Sequence, residues 1–69
     1  MSSTRNGQVK RLVAARGFGF IADDRGHEFF FHRTAVTYGS FDSLREGSRV
    51  TFEEEASPKG PRAGVVRIA

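Results

Sequence analysis

Apolar residues occupy alternate positions over short stretches of this chain, and glycine- or proline-bearing turns interrupt them at Asn6-Gly7, Arg16-Gly17, Asp24-Arg25-Gly26, Tyr38-Gly39-Ser40, Glu46-Gly47 and Ser57-Pro58-Lys59-Gly60-Pro61. Period-two alternation between turn signals predicts strands. Five are expected, near Gln8 to Val13, Phe18 to Asp23, Glu28 to His32, Arg49 to Glu55 and Gly64 to Ile68. No segment supports a long amphipathic helix, and there is no internal repeat. The longest connection, Thr34 to Leu44, is expected to cross one end of the sheet with a short helical turn near Thr34 to Val36.

Five short strands in 69 residues favour a closed antiparallel barrel, because closure removes the unpaired edges of an open sheet. The chain lacks cysteine, so no disulfide supports so small a core. One domain is expected over residues 7–69, preceded by a flexible extension, residues 1–6. The absence of an apolar leader and of a long apolar run points to a cytoplasmic address, with no membrane partner and a monomeric chain.

Side chains alternate faces along a strand, so Glu28, Phe30 and His32 share one face and Phe29 and Phe31 the other. The polar neighbours turn Phe30 and His32 outward. Ile21 is a natural core residue, which turns Phe18 and Phe20 outward as well. Val9, Ile21, Leu44, Val50, Val66 and Ile68, with Phe29, Phe31 and Phe52, supply enough apolar volume for the interior. The remaining rings are surplus to the core. Gly17 and Gly19 between them allow sharp coiling and leave the outward rings uncrowded.

Exposed rings offer stacking platforms to unpaired bases, and a net charge of +3 favours a polyanion. Lys10, Arg11 and Arg16 crowd the first third, Arg33 follows the second aromatic segment, and Lys59 and Arg62 flank the late turn. Arg25, Arg45 and Arg49 read as solubility charges, and Glu53-Glu54-Glu55 as a solvated strand end.

The segments Arg16-Gly17-Phe18-Gly19-Phe20-Ile21 and Glu28-Phe29-Phe30-Phe31-His32 resemble the two ribonucleoprotein motifs of the cold-shock domain. Gly7-Gln8-Val9-Lys10 is similar to that family's opening strand, Phe41-Asp42-Ser43-Leu44 to part of its long loop, and Lys59-Gly60-Pro61 to the turn before its last strand. The resemblance covers roughly Gly7 to Ile68. It implies a five-stranded oligonucleotide/oligosaccharide-binding (OB) barrel that binds single-stranded RNA or DNA with little sequence demand, as an RNA chaperone or a regulator of transcription or translation. Carried over by position, the stacking residues are Phe18, Phe20, Phe30, His32 and Phe41. Lys10, Arg11, Arg16, Arg33, Lys59 and Arg62 would meet the phosphates.

The chain departs from the family pattern at several positions. Where such proteins usually carry Trp-Phe after the first-strand lysine it has Arg11-Leu12, with Leu12 expected at the rim, and where an aromatic usually follows the motif histidine it has Arg33. Phe29 and Phe31 replace aliphatics, and Val65 a polar residue. Arginine can stack on a base and pair with a phosphate, so the expected mode is more electrostatic than is usual.

Other chemistry finds no support. His27 and His32 carry one residue too many between them for a zinc-protease motif, and on a strand they point to opposite faces. Gly17 and Gly19 lack the third glycine of a dinucleotide site, and Asp23, Asp24 and Asp42 fall at turns where aspartate bonds the local backbone. Neither catalysis, nor a metal, nor another cofactor is expected. The competing function is protein docking, with Phe18, Phe20 and Phe30 as an apolar patch edged by Arg11 and Arg33 for an acidic partner.

Overall fold

The computed structural model describes residues 4–38, 41–58 and 60–68. Its strands are β1 (Thr4–Val13), β2 (Phe18–Asp23), β3 (Glu28–His32), β4 (Val36–Tyr38), β5 (Arg49–Glu55) and β6 (Arg62–Ile68). Three single 3-10 turns join them, at Ala14–Arg16, Arg33–Ala35 and Phe41–Ser43. The five longer strands pair antiparallel in the order β3-β2-β1-β5-β6, and a parallel contact between β3 and β6 closes the barrel. This is the closed barrel expected from the strand pattern, and the OB barrel that the resemblance implies, with closure through a parallel bridge.

Several boundaries differ from the sequence reading. β1 begins at Thr4, where Thr4, Arg5 and Asn6 pair with Glu53, Phe52 and Thr51, so part of the expected extension is strand. The long edge of β5 offers these residues backbone partners that no local signal announces. β4 lies inside the expected connection and runs parallel to β6, Val36 opposite Val66. Three residues are too few for periodicity to show, and this strand exists because β6 presents an edge. β6 itself begins at Arg62, two residues before the expected Gly64.

Alternation works as the pattern predicts. Along β3 the even positions are exposed and Phe29 and Phe31 buried, and along β2 Gly19, Ile21 and Asp23 are buried while Phe18, Phe20 and Ala22 are half-covered. The core comprises Val9, Ile21, Phe29, Phe31, Leu44, Val50, Phe52, Ala63 and Val66. Ile68, expected inside, is half-buried at the end of β6, and Ala63 takes an interior place near the start of the same strand. Leu12, expected at the rim, packs against the core. The phenylalanines provide much of this volume, with the Phe29 and Phe52 rings 4.9 Å apart.

Gly19 is dictated by close approach: a Cβ there would sit 2.7 Å from the Arg11 carbonyl oxygen and 2.9 Å from the Phe31 ring. Any side chain would drive β1 from β2 or tilt the central ring of the core. The strand that presents two outer rings is thus pinned against β1 from behind.

Candidate nucleic-acid interface

The β2–β3 register sets Phe18 opposite His32 and Phe20 opposite Phe30. Directly paired residues on an antiparallel pair share a face, so this register brings three rings together outside the barrel. The Phe18 and Phe30 centroids are 5.5 Å apart, Phe20 and Phe30 5.8 Å, and Phe18 and Phe20 6.1 Å. Each ring leans on the other two, an arrangement worth about 0.5 to 1.5 kcal/mol per pair that holds the rings in place before any ligand arrives. Phe30 is the most open, at 37% exposure.

A bulge in β1 completes the row. Val9 faces Ile21 in the interior, the next pair is Arg11 with Phe20, and Lys10 is the extra residue between them. Arg11 therefore joins Phe20 and Phe30 in one cross-strand row on the outer face. Arg16 ends the first 3-10 turn, separated from β2 only by Gly17, and is exposed. Arg33 follows β3, with its backbone N–H donating to the Gly17 carbonyl at 2.8 Å and its side-chain stem lying over Gly17. Among the described residues no carboxylate pairs with Arg11, Arg16 or Arg33, so their positive field faces solvent around the rings.

His32 is exposed, and the local backbone sets its ring orientation. Its Nδ1 accepts from the Thr34 N–H at 3.3 Å and lies 3.0 Å from Thr34 Oγ1, capping the turn that follows β3. The rest of the ring is open to solvent.

Three other candidates make contacts that the sequence did not show. Phe41 is half-buried at the barrel end against Phe31, with centroids 6.1 Å apart, and makes no ring pair with the outer three. Lys10 Nζ donates to Glu28 Oε2 at 2.7 Å, and Arg62 donates to Glu55 Oε1, so both cations already hold a carboxylate. Lys59 lies outside the described residues. Sequence spacing did not reveal Glu28 and Glu55 as partners, because the first pairing spans the bulge and the second the β5–β6 turn. A groove of about 560 Å³ beside Phe30, lined also by Ser57, Pro58, Pro61 and Arg62, was likewise not foreseen. The clustering of serine and prolines in the late turn was its one visible signal.

The turn joining β2 to β3 is clamped by Asp23. Its carboxylate, with side-chain exposure of 2%, accepts from the backbone N–H of Arg25 at 2.9 Å and of His27 at 2.8 Å, as an aspartate at a turn is expected to do. Burial pushes the Asp23 pKa up, but the two backbone donors and His27, whose Nδ1 is 3.3 Å away, outweigh it and leave the group below its ordinary value. Arg5 reaches toward Asp23 at 3.7 Å and Glu54 at 2.8 Å, with its guanidinium 5.9 Å from the Phe29 ring centre. This network holds the hairpin whose far face carries Phe20 and Phe30.

Among the described residues no group of three His, Cys, Asp or Glu side chains could hold a metal ion, and no helix is long and apolar enough to cross a membrane.

Known proteins place this geometry. The family model described as the 'Cold-shock' DNA-binding domain matches residues 5–69. Cold shock protein 1 of Lactiplantibacillus plantarum is 44% identical over 62 residues, covering 90% of this chain and 94% of that protein. The cold shock-like protein CspE of Bacillus anthracis is 43% identical over 66 residues, covering 94% and 98%. The cold shock-like protein of Thermotoga maritima is 39% identical over 62 residues, covering 90% and 94%. The match spans the barrel and both aromatic segments, and the chain belongs to the cold-shock domain family, its barrel a nucleic-acid-binding module of cold-shock type.

Proposed function

We propose that this protein binds single strands of RNA and DNA, without catalysis and as a monomer, by stacking unpaired bases on Phe18, Phe20 and Phe30. The observation that carries the reading is the triangle of outer rings, 5.5 to 6.1 Å apart, bordered by Arg11, Arg16 and Arg33. His32 contributes a ring beside Phe18, and Phe41 serves a base at the barrel end. A duplex hides its base faces and leaves such rings nothing to stack on, whereas a single strand offers one π-face per nucleotide. Arg11, Arg16 and Arg33 steer the strand and meet its phosphates together with Lys59, whereas Arg62 is held by Glu55. Lys10 takes part when a phosphate displaces Glu28.

In this reading the barrel, with β1 counted from Thr4, acts as one cytoplasmic binding domain that keeps strands unpaired, the behaviour of an RNA chaperone or of a regulator of transcription or translation. Cold-shock kinship does not favour the protein-docking alternative.

Fluorescence anisotropy with labelled single-stranded RNA, single-stranded DNA and duplex DNA, at low and physiological salt, tests it. Single strands are expected to bind well above duplex, with affinity surviving physiological salt. Equal binding of duplex that vanishes with salt would leave only charge attraction and overturn the reading.

A further inference from the structure

Glu55 and Arg62 face each other in the β5–β6 register, and their side chains meet beside the aromatic face. Arg62 Nε donates to Glu55 Oε1 at 2.9 Å, and Nη2 donates to the same oxygen. The carboxylate can lie here because the opposing strand gives way. Glu53 pairs with Val65 and Glu54 with Ala63, so Gly64 is the unpaired residue of a bulge. A Cβ on Gly64 would run into Glu55 Oε2 and stand 3.2 Å from Glu55 Cβ. Bulge, glycine and glutamate together build a seat for Arg62.

That seat adjoins Phe30. Phe30 and Arg62 are the paired residues of the parallel β3–β6 bridge, and both line the groove closed by Ser57, Pro58 and Pro61. A guanidinium at such a place would ordinarily offer its planar fork to a phosphate. Here two of its donors are occupied and its charge is neutralised at contact distance.

We propose that Glu55 is a specificity-determining residue: it competes with the nucleic-acid backbone for Arg62, so that the groove beside Phe30 is kept for bases. The proposal rests on the reading that the aromatic face binds single strands. Glu55 and Arg62 are each about half exposed, with side-chain exposures of 50% and 50%, so water screens the pair and its competition is modest.

The test measures binding of labelled single-stranded oligothymidylate across a salt series by the wild-type chain, Glu55→Gln, Arg62→Gln, the double variant, and Glu53→Gln as a control of equal charge change. Glu55→Gln is expected to bind about two- to fivefold tighter at low salt, the range that a screened pair allows. The slope of log affinity against log salt should steepen by about 0.7, one further phosphate engaged on a single strand. Arg62→Gln should leave the wild-type slope unchanged, and the double variant should lose the gain. A Glu55→Gln chain no tighter than wild type, a gain matched by Glu53→Gln, or a gain that survives in the double variant each overturns the proposal. A wild-type chain that binds no strand at low salt overturns the functional reading and this proposal with it, whereas wild-type binding with no Glu55 effect overturns this proposal alone.

Discussion

Replacing Phe30 with alanine separates the outer face from the core. Phe30 is 37% exposed, so under two thirds of it is covered. Full burial of such a side chain is worth about 1.5 to 3 kcal/mol, so its truncation should cost about 1 to 2 kcal/mol through lost area. The contacts with Phe18 and Phe20, 5.5 and 5.8 Å away, are half-solvated. They add about 0.5 kcal/mol each, the lower end for ring pairs. The total, about 2 to 3 kcal/mol, leaves the variant folded if the chain holds roughly 5 kcal/mol or more, within the roughly 3 to 10 kcal/mol typical of its size.

Binding should suffer more. One base–aromatic stack is worth about 1 to 3 kcal/mol, or about fivefold to 150-fold in affinity. The comparator is Phe31→Ala, one position along the strand and wholly buried, which should cost about 3 to 5 kcal/mol and unfold much of the population. Urea denaturation followed by far-ultraviolet circular dichroism gives the stabilities, and anisotropy on a labelled single strand gives the affinities where each variant is folded. Unchanged affinity in a folded Phe30→Ala chain would refute the stacking role. A stability loss equal to that of Phe31→Ala would refute the division of rings between face and core.

Two more substitutions probe the face and the turn behind it. The double variant Arg11→Trp with Arg33→Phe places rings beside Phe20 and Phe18 and is expected to bind pyrimidine-rich strands about fivefold or more tightly at high salt, with a shallower salt slope; anisotropy showing no gain there would refute the more electrostatic mode. Asp23 should contribute acid sensitivity: its folded pKa lies below its ordinary value, so its stabilisation is present above the unfolded pKa of about 3.9 and is lost as pH falls through the folded value. Asp23→Asn should flatten the dependence of the urea midpoint on pH below about 4, and an unaltered acid limb would rule out this role.

Much of this molecule is local in origin. The two-residue period at Glu28 to His32 assigns Phe30 and Phe29 to opposite faces without any knowledge of their neighbours, because pleating alone reverses successive side chains. The same period turns Phe18 and Phe20 away from Ile21, and the core contains nearly every aliphatic residue that the pattern assigned to it. What the pattern could not carry was any quantity that depends on register. That Arg11 stands beside Phe20 follows from a bulge at Lys10, which shifts the facing of β1 by one residue. That Lys10 meets Glu28, Phe41 rests on Phe31 instead of joining the outer rings, and Val36–Tyr38 becomes a strand on the edge of β6 are likewise results of closure. Facing is a property of one strand and is written in its own residues. Partnership belongs to two strands, and only the folded barrel chooses between the registers the same pattern permits.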